Sequence, residues 1–397
     1  MRVVRIILAA TIFSGGTACL SYEPDHEDWT RQPQLSLLLA YLNLTCVPDW
    51  RLVGPAQWPC YQQQLARTAA LGASDAPSMA TIGNFAGFTK WAGSVLAPNG
   101  FIYAIPYSQT AVLKINPTND TTSTFGALAT PGWAGGVLAP NGKIYGIPHD
   151  ATDVLEIDPS TDTASTFGTV SGNSFKWRGG VLAPNGKIYG VPVNEATILE
   201  IDPVARTATT FGTVTTGDQY TGGVLGADGL IYCIPRNSTQ IMIIDPETKT
   251  ISYTGSLAGV QKWSGGVITA SEKIYGAPYG SDQVLEFDPT AASSTLFGSI
   301  SASTTKFMGS VYAPDGKIYA VPYRRDELLY TDPAVQGLTL TGPTPETGTT
   351  KWYGGTLAAN GKIYIPPYGA TTVLVIDTKA RGTVDITVLL SAYFNKF

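Results

Sequence analysis

The feature that most constrains this 397-residue chain is a period. An aromatic residue followed by small residues recurs at Trp91, Trp133, Trp177, Tyr220, Trp263, Phe307 and Trp352, with gaps of 42, 44, 43, 43, 44 and 45 residues. Three copies show the pattern plainly: WAGGVLAPNGKIYGIPHDATDVLEIDPSTDTASTFG from Trp133, WRGGVLAPNGKIYGVPVNEATILEIDPVARTATTFG from Trp177, and WSGGVITASEKIYGAPYGSDQVLEFDPTAASSTLFG from Trp263. A fixed period of this size means one supersecondary unit, repeated, that buries its faces against its neighbours.

Each copy reads as four short strands. The first is the Gly-Gly-Val-Leu-Ala run. Ala-Pro-Asn-Gly-Lys then forms a hairpin, in which Pro presets φ, Asn suits the next position and Gly takes the left-handed one. The second strand is Lys-Ile-Tyr-Gly-Ile-Pro, the third Val-Leu-Glu-Ile-Asp, ended by Pro, and the fourth Ser-Thr-Phe-Gly. Helical periodicity is absent from the repeats. The prediction is an all-β chain: a seven-bladed β-propeller of four-stranded blades, with a short helical or irregular N-terminal extension. A solenoid of four-stranded units is the competing arrangement. In a propeller the first strands crowd around a central channel, which accounts for the glycines at Gly93, Gly135-Gly136, Gly179-Gly180, Gly222-Gly223, Gly265-Gly266, Gly309 and Gly354-Gly355. Two segments compete to close the ring. Ala80-Thr81-Ile82-Gly83 reads as an outer strand of the last blade and is favoured; Val384 to Val388 also sits where a fourth strand belongs.

Composition agrees with a turn-dense β protein: 43 Gly, 27 Pro and 20 Tyr, with 14% charged and 44% hydrophobic residues, too apolar for disorder. The formal charge is −5, and no basic run stands out, so nucleic acid is excluded as the expected partner.

The N-terminus carries an export signal. Met1 to Arg5 is positive, Ile6 to Phe13 is apolar but too short to span a bilayer, and small residues lead to Cys19. This resembles a bacterial lipoprotein signal, cut before a cysteine that receives lipid; Gly16 departs from the usual Leu. The resemblance implies lipidation at Cys19, and Leu20 after it implies sorting to an outer membrane. The expected layout is signal peptide 1–18, tether 19–34, a small segment 35–75 stapled by a Cys46–Cys60 disulfide, and propeller 76–397. Within 35–75, Leu35 to Leu42 and Gln62 to Leu71 read as short helices. Cys233, where other copies have Gly or Ala, reads as a buried small hydrophobe.

Residues 80–390 resemble the bacterial propeller repeats that include the Tyr-Val-Thr-Asn repeat, NHL-type and virginiamycin B lyase-like proteins, through Val-Leu-Ala-Pro-Asn-Gly-Lys-Ile-Tyr and Val-Leu-Glu-Ile-Asp-Pro in each copy. The resemblance implies the fold, and leaves activity open among lyases, lactonases, lectins and scaffolds.

In a propeller the loops after the second strand and those before the next opening aromatic share one face. That face collects Tyr107, His149, Val193, Arg236, Tyr279, Tyr323 and Tyr368 from the position after the second-strand proline. It also collects the opening aromatics and the lysines before them, Lys90, Lys176, Lys262, Lys306 and Lys351. Such a rim suits sugars, whose C–H faces stack on rings, or an anionic group held by the lysines. A residue repeated in every blade also serves the blade itself, so departures from consensus carry more information. The ligand-binding candidates are therefore Tyr107, His149, Asp150, Asn194, Arg236, Asn237, Tyr279, Tyr323, Arg324, Arg325 and Tyr368. No catalytic residue, metal or cofactor is assigned. The expected function is a monomeric cell-envelope binding module for a protein or carbohydrate ligand, held to the membrane by lipid alone. The alternative is a periplasmic metal-assisted lyase or lactonase, with His149 and Glu195 or Glu327 as its only acid–base group, or Asp150, Asn194 and Asn237 around a metal. On the opposite face, the Asp before each Pro is expected to bond its own turn, and the lysines after Asn-Gly to be solvated.

Overall fold

The computed structural model describes residues 49–69, 76–301, 305–380 and 386–393. They belong to a compact unit running from Val47 to Phe397. The expectations for residues 1–48, including the signal, Cys19, the tether, the Leu35 helix and the Cys46 end of the disulfide, lie outside the described residues; Cys60 is buried.

The repeats fold into seven four-stranded antiparallel sheets, and neighbouring inner strands pack side by side. Blade 3 is representative: Trp177–Leu182 lies innermost, then Ile188–Pro192, Ile198–Asp202 and, outermost, Thr207–Phe211. The second strand is buried along its whole length and the outer one alternates exposed with half-buried, as sheets packed on both faces but bare at one edge require. The exposed edge strand is only five residues long, which limits its pairing with other chains. The ring closes through the N-terminal strand. Ser78–Ile82 pairs antiparallel with Val373–Asp377, Ser78 opposite Asp377 and Ile82 opposite Val373, as the outer strand of blade 7. The rival C-terminal segment is not a strand where it is described, because Ile386–Leu389 is a helical turn, α2.

The paired glycines, present in five blades and replaced by Gly-Ser in blades 1 and 6, have two different jobs. The first, such as Gly179 at φ +70°, forms a bulge that shifts the register between Trp177 and Gly180. The second lies against the preceding blade: a Cβ at Gly180 would come within 2.6 Å of Ile147 Cδ1. The opening indoles are structural too. In five blades the N–H donates to the carbonyl 20 residues downstream, as Trp177 does to Thr197 at 2.8 Å, tying the inner strand to the loop before the third.

One face of the ring is sealed. Helix α1 (Trp58–Ala69) lies beneath it, where the Trp58 indole donates to Glu272 at 2.8 Å and Gln62 to the Ala270 carbonyl at 2.9 Å. Trp58 packs edge-on against Tyr393 at 4.8 Å, and the Tyr393 hydroxyl donates to the Gly54 carbonyl. Leu389 and Tyr393 line a cavity of about 30 Å³ between the inner strands of blades 5, 6 and 7, so the terminal segments stopper this end of the channel. Glu272 replaces the hairpin glycine of other copies and keeps its left-handed φ of +65°, which exchanges local ease for an anchor to α1.

The same face holds the blades together. Glu156, Glu200 and Glu286 are buried on third strands, and each binds the lysine after its own hairpin, Lys143, Lys187 or Lys273. Glu156 and Glu200 also take Arg206 and Lys249 from the next blade. These hairpin lysines were expected to be solvated; the buried glutamates beside them hold them instead. The Asp-Pro turns behave as expected. A side-chain oxygen of Asn116, Asp158, Asp202, Asp245, Asp288, Asp332 and Asp377 accepts a backbone N–H two or three residues on.

Candidate functional site at the open channel mouth

On the other face, the residues after the second-strand prolines meet around the channel. Tyr107 packs against His149 at 5.3 Å and Tyr368 at 5.4 Å. Tyr368 neighbours Tyr323 at 6.2 Å, Tyr323 neighbours Tyr279 at 6.3 Å, and the Arg236 guanidinium lies 4.4 Å from the Tyr279 ring centre. Six of the seven positions thus form a continuous arc of aromatic and cationic groups. The seventh is Val193, a small buried side chain. Burial pushes the hydroxyls of Tyr107 and Tyr323 up to about 12, so they stay neutral donors across the ordinary pH range.

A second layer is made by the residue after each opening aromatic: Ala92, Ala134, Arg178, Thr221, Ser264, Met308 and Tyr353. Tyr353 packs on Tyr368 at 5.6 Å. Arg178 fills the side where the outer ring has only Val193. Its Nη2 lies 3.2 Å from His149 Nε2, and its Nη1 4.0 Å from Asp218 Oδ1. Arg236 Nε lies 3.0 Å from the other oxygen of the same carboxylate. The two arginine side chains are 13% and 10% exposed. Arg178 Nε and Nη1 have no hydrogen-bond partner among the described residues. Beneath this layer Arg178, Tyr353 and the glycine-lined inner strands of blades 3, 4 and 5 enclose a cavity of about 20 Å³.

Arg178 was not among the candidates. The signal for it is the position after the opening aromatic, where arginine replaces the small Ala, Thr or Ser of four other copies.

His149 is locked. Its Nδ1–H donates to Asp150 Oδ2 at 3.0 Å, and its Nε2 accepts from Arg178; a carboxylate can only accept and a guanidinium only donate, which sets the tautomer. Burial and the nearby guanidinium lower its pKa, and Phe175 covers it edge-on at 5.0 Å. Burial would raise the Asp150 pKa, yet the hydrogen bonds from His149 and the Phe175 amide hold it at about 2. The proposed acid–base partners stand elsewhere. Glu195 accepts from Ser171 and Asn173, and Glu327 pairs with Arg325 at 3.0 Å.

Other candidates have local duties. Asp150, Asn194 and Asn237 accept the amides of Phe175, Asp218 and Gln261, each left-handed with φ between +51° and +56°. Among the described residues, no three His, Cys, Asp or Glu side chains cluster at metal-binding distance. Arg324 is exposed beside Tyr323, while Arg325 turns to Glu327 and Ser301. The loop lysines, expected as anion grips, are buried and cap carbonyls. Lys90 donates to Gly87, Lys176 to Asn173, and Lys262 to Arg236, Ser238 and Gly259; Lys306 and Lys351 add Asp282 and Asp326. An ammonium buried at a loop's base closes that loop and leaves nothing to offer a ligand.

No protein-family model matches the sequence, and no curated protein does. Solved structures do. A streptogramin B lyase aligns with a TM-score of 0.65 at 10% identity, over 76% of this chain and 97% of that one. Virginiamycin B lyase from Staphylococcus aureus aligns with the same score at 12% identity, over 76% and 99%. The common ground is the propeller. A third match lies in Kuenenia stuttgartiensis hydrazine synthase, with a TM-score of 0.61 at 13% identity, over 75% of this chain and 97% of that one. At such identities these likenesses bear on architecture and leave the residues of the mouth to speak for themselves.

Proposed function

We propose that this protein is a binding module that takes a protein or glycan ligand at the open channel mouth. The observation that carries the reading is the inequality of the two faces. One is stoppered by α1 and α2 and latched by ion pairs; the other carries an arc of tyrosines, Tyr107 and Tyr368 among them part-exposed, and two arginines, of which Arg178 is incompletely hydrogen-bonded beside a small cavity. Aromatic and arginine side chains are what binding faces concentrate, because they add contact area with little rotamer loss. The enzymatic alternative has less support, since the one histidine at the mouth has both nitrogens engaged. A glycan array probed with the intact protein and with Tyr279→Ala and Tyr323→Ala tests the reading. Binding weakened by both substitutions supports it; turnover abolished by a chelator, with no binding to any ligand, overturns it.

The signal-like N-terminus supports an exported, cell-envelope location with a lipid on Cys19 as the membrane attachment. The mass of the mature protein decides this: any N-terminus other than acylated Cys19 removes the anchor.

A further inference from the structure

The arginines at the mouth specify more than a binding face. Arg178 and Arg236 share one carboxylate, Asp218, at 4.0 and 3.0 Å, so this trio carries one uncompensated positive charge. Asp150, ionised on the neutral His149, faces Arg178 only through that imidazole. Arg178 Nε and Nη1, without hydrogen-bond partners among the described residues, border the small channel cavity. Buried polar groups are almost always satisfied, and a guanidinium fork matches a carboxylate in shape. The residues around it are held stiffly. Phe175, a bulky residue at φ +56°, is fixed by Asp150 and lies across His149, which in turn orients Arg178.

We infer that the mouth recognises a carboxylated sugar of the uronic acid type, its carboxylate on Arg178 with Arg236 and its ring against the part-exposed Tyr107 and Tyr368. This rests on the mouth being the binding face. A carboxylate fits because Arg178 still has N–H groups to donate beside the cavity; a dianion would meet Asp218 and Asp150 as well. A sugar ring fits because the tilted rings of Tyr107 and Tyr368 stay part-exposed, which suits the C–H faces of a pyranose and leaves its hydroxyls to neutral tyrosine donors.

Glucose, glucuronate and glucose 6-phosphate place zero, one and about two negative charges on the same ring. Each is titrated into the intact protein by ligand-observed NMR, beside a blocked dipeptide with a free C-terminal carboxylate. Glucuronate is expected to bind best, with glucose and glucose 6-phosphate weaker by about tenfold or more. Arg178→Ser copies the residue that blade 5 carries at this place, so it preserves folding, checked by thermal unfolding; it should remove the glucuronate preference. Arg178→Lys should also lose it, because a point charge does not reproduce the fork. Equal binding of glucose and glucuronate, unchanged in Arg178→Ser, overturns the carboxylate inference and leaves the binding face standing. Binding of glucose 6-phosphate or of the dipeptide in preference overturns it likewise. No binding by any sugar overturns it too, and the glycan array with the tyrosine variants then decides separately whether the mouth binds at all.

Discussion

Lys262 offers a quantitative check on how the loops are held. Its side chain is buried, and its ammonium donates to the carbonyls of Arg236 at 3.2 Å, Ser238 at 2.7 Å and Gly259 at 2.9 Å. Lys306 and Lys351 occupy the same place in their blades but reach a carboxylate as well. Without that opposite charge, burial dominates at Lys262 and lowers its pKa from 10.5 to about 8. The native state therefore binds fewer protons than the unfolded state between pH 8 and 10.5, and stability contributed by this site rises with pH across that window. Between pH 7.5 and 9.5 the expected gain is about 2 kcal/mol from these two pKa values. Lys262→Met keeps the length and removes the titration. Urea unfolding of both proteins at the two pH values isolates the effect, because tyrosine ionisation and the other lysines act equally on both. The wild type should gain about 2 kcal/mol relative to the variant. Parallel profiles, or a Lys262 resonance titrating near its ordinary value, would refute the claim that three carbonyls fail to offset the lost hydration.

Other expectations follow from the same accounting of buried charge. Glu200→Gln breaks the inter-blade latch to Lys187 and Lys249; because both lysines are partly exposed, the cost should be about 1–2 kcal/mol, read as a lower melting temperature. His149 is kept neutral in the fold, so its contribution is intact above pH 6.5 and drains away as pH falls below that; His149→Phe should flatten this part of an acid unfolding profile. Cys233 is a free, fully buried thiol whose pKa burial raises, so a thiol reagent should modify it only after denaturant is added, and rapid reaction with the native protein would contradict that placement.

Most of the scaffold was legible because its rules are local and repeated. The hairpin glycines, the Asp-Pro turns and the Ala80 clasp are each specified by a few neighbouring residues, and seven near-copies average out the noise. The mouth was half legible. The ring from Tyr107 to Tyr368 follows from topology once the propeller is recognised, and Arg236 stood out as a departure from consensus. Arg178 did not, because position along an inner strand gives no sign that a long side chain will fill a gap left by Val193 on the same blade. The lysines misled for a related reason. Sequence presents them as solvated charges, whereas their surroundings are set by carbonyls from loops as many as 26 residues distant. Likewise the hairpin lysines looked free until the buried glutamates of the third strands were placed beside them.

The rim has a consequence for how such a protein changes over time. Each blade contributes one side chain to the outer ring and one to the inner, and the indole, the turn and the clasp that build the blade lie elsewhere. The mouth behaves as a combination with two dials per blade, each set by a single codon. Turning Ala to Arg at one dial, as blade 3 has done relative to blade 2, rewrites the chemistry of the centre without disturbing a strand.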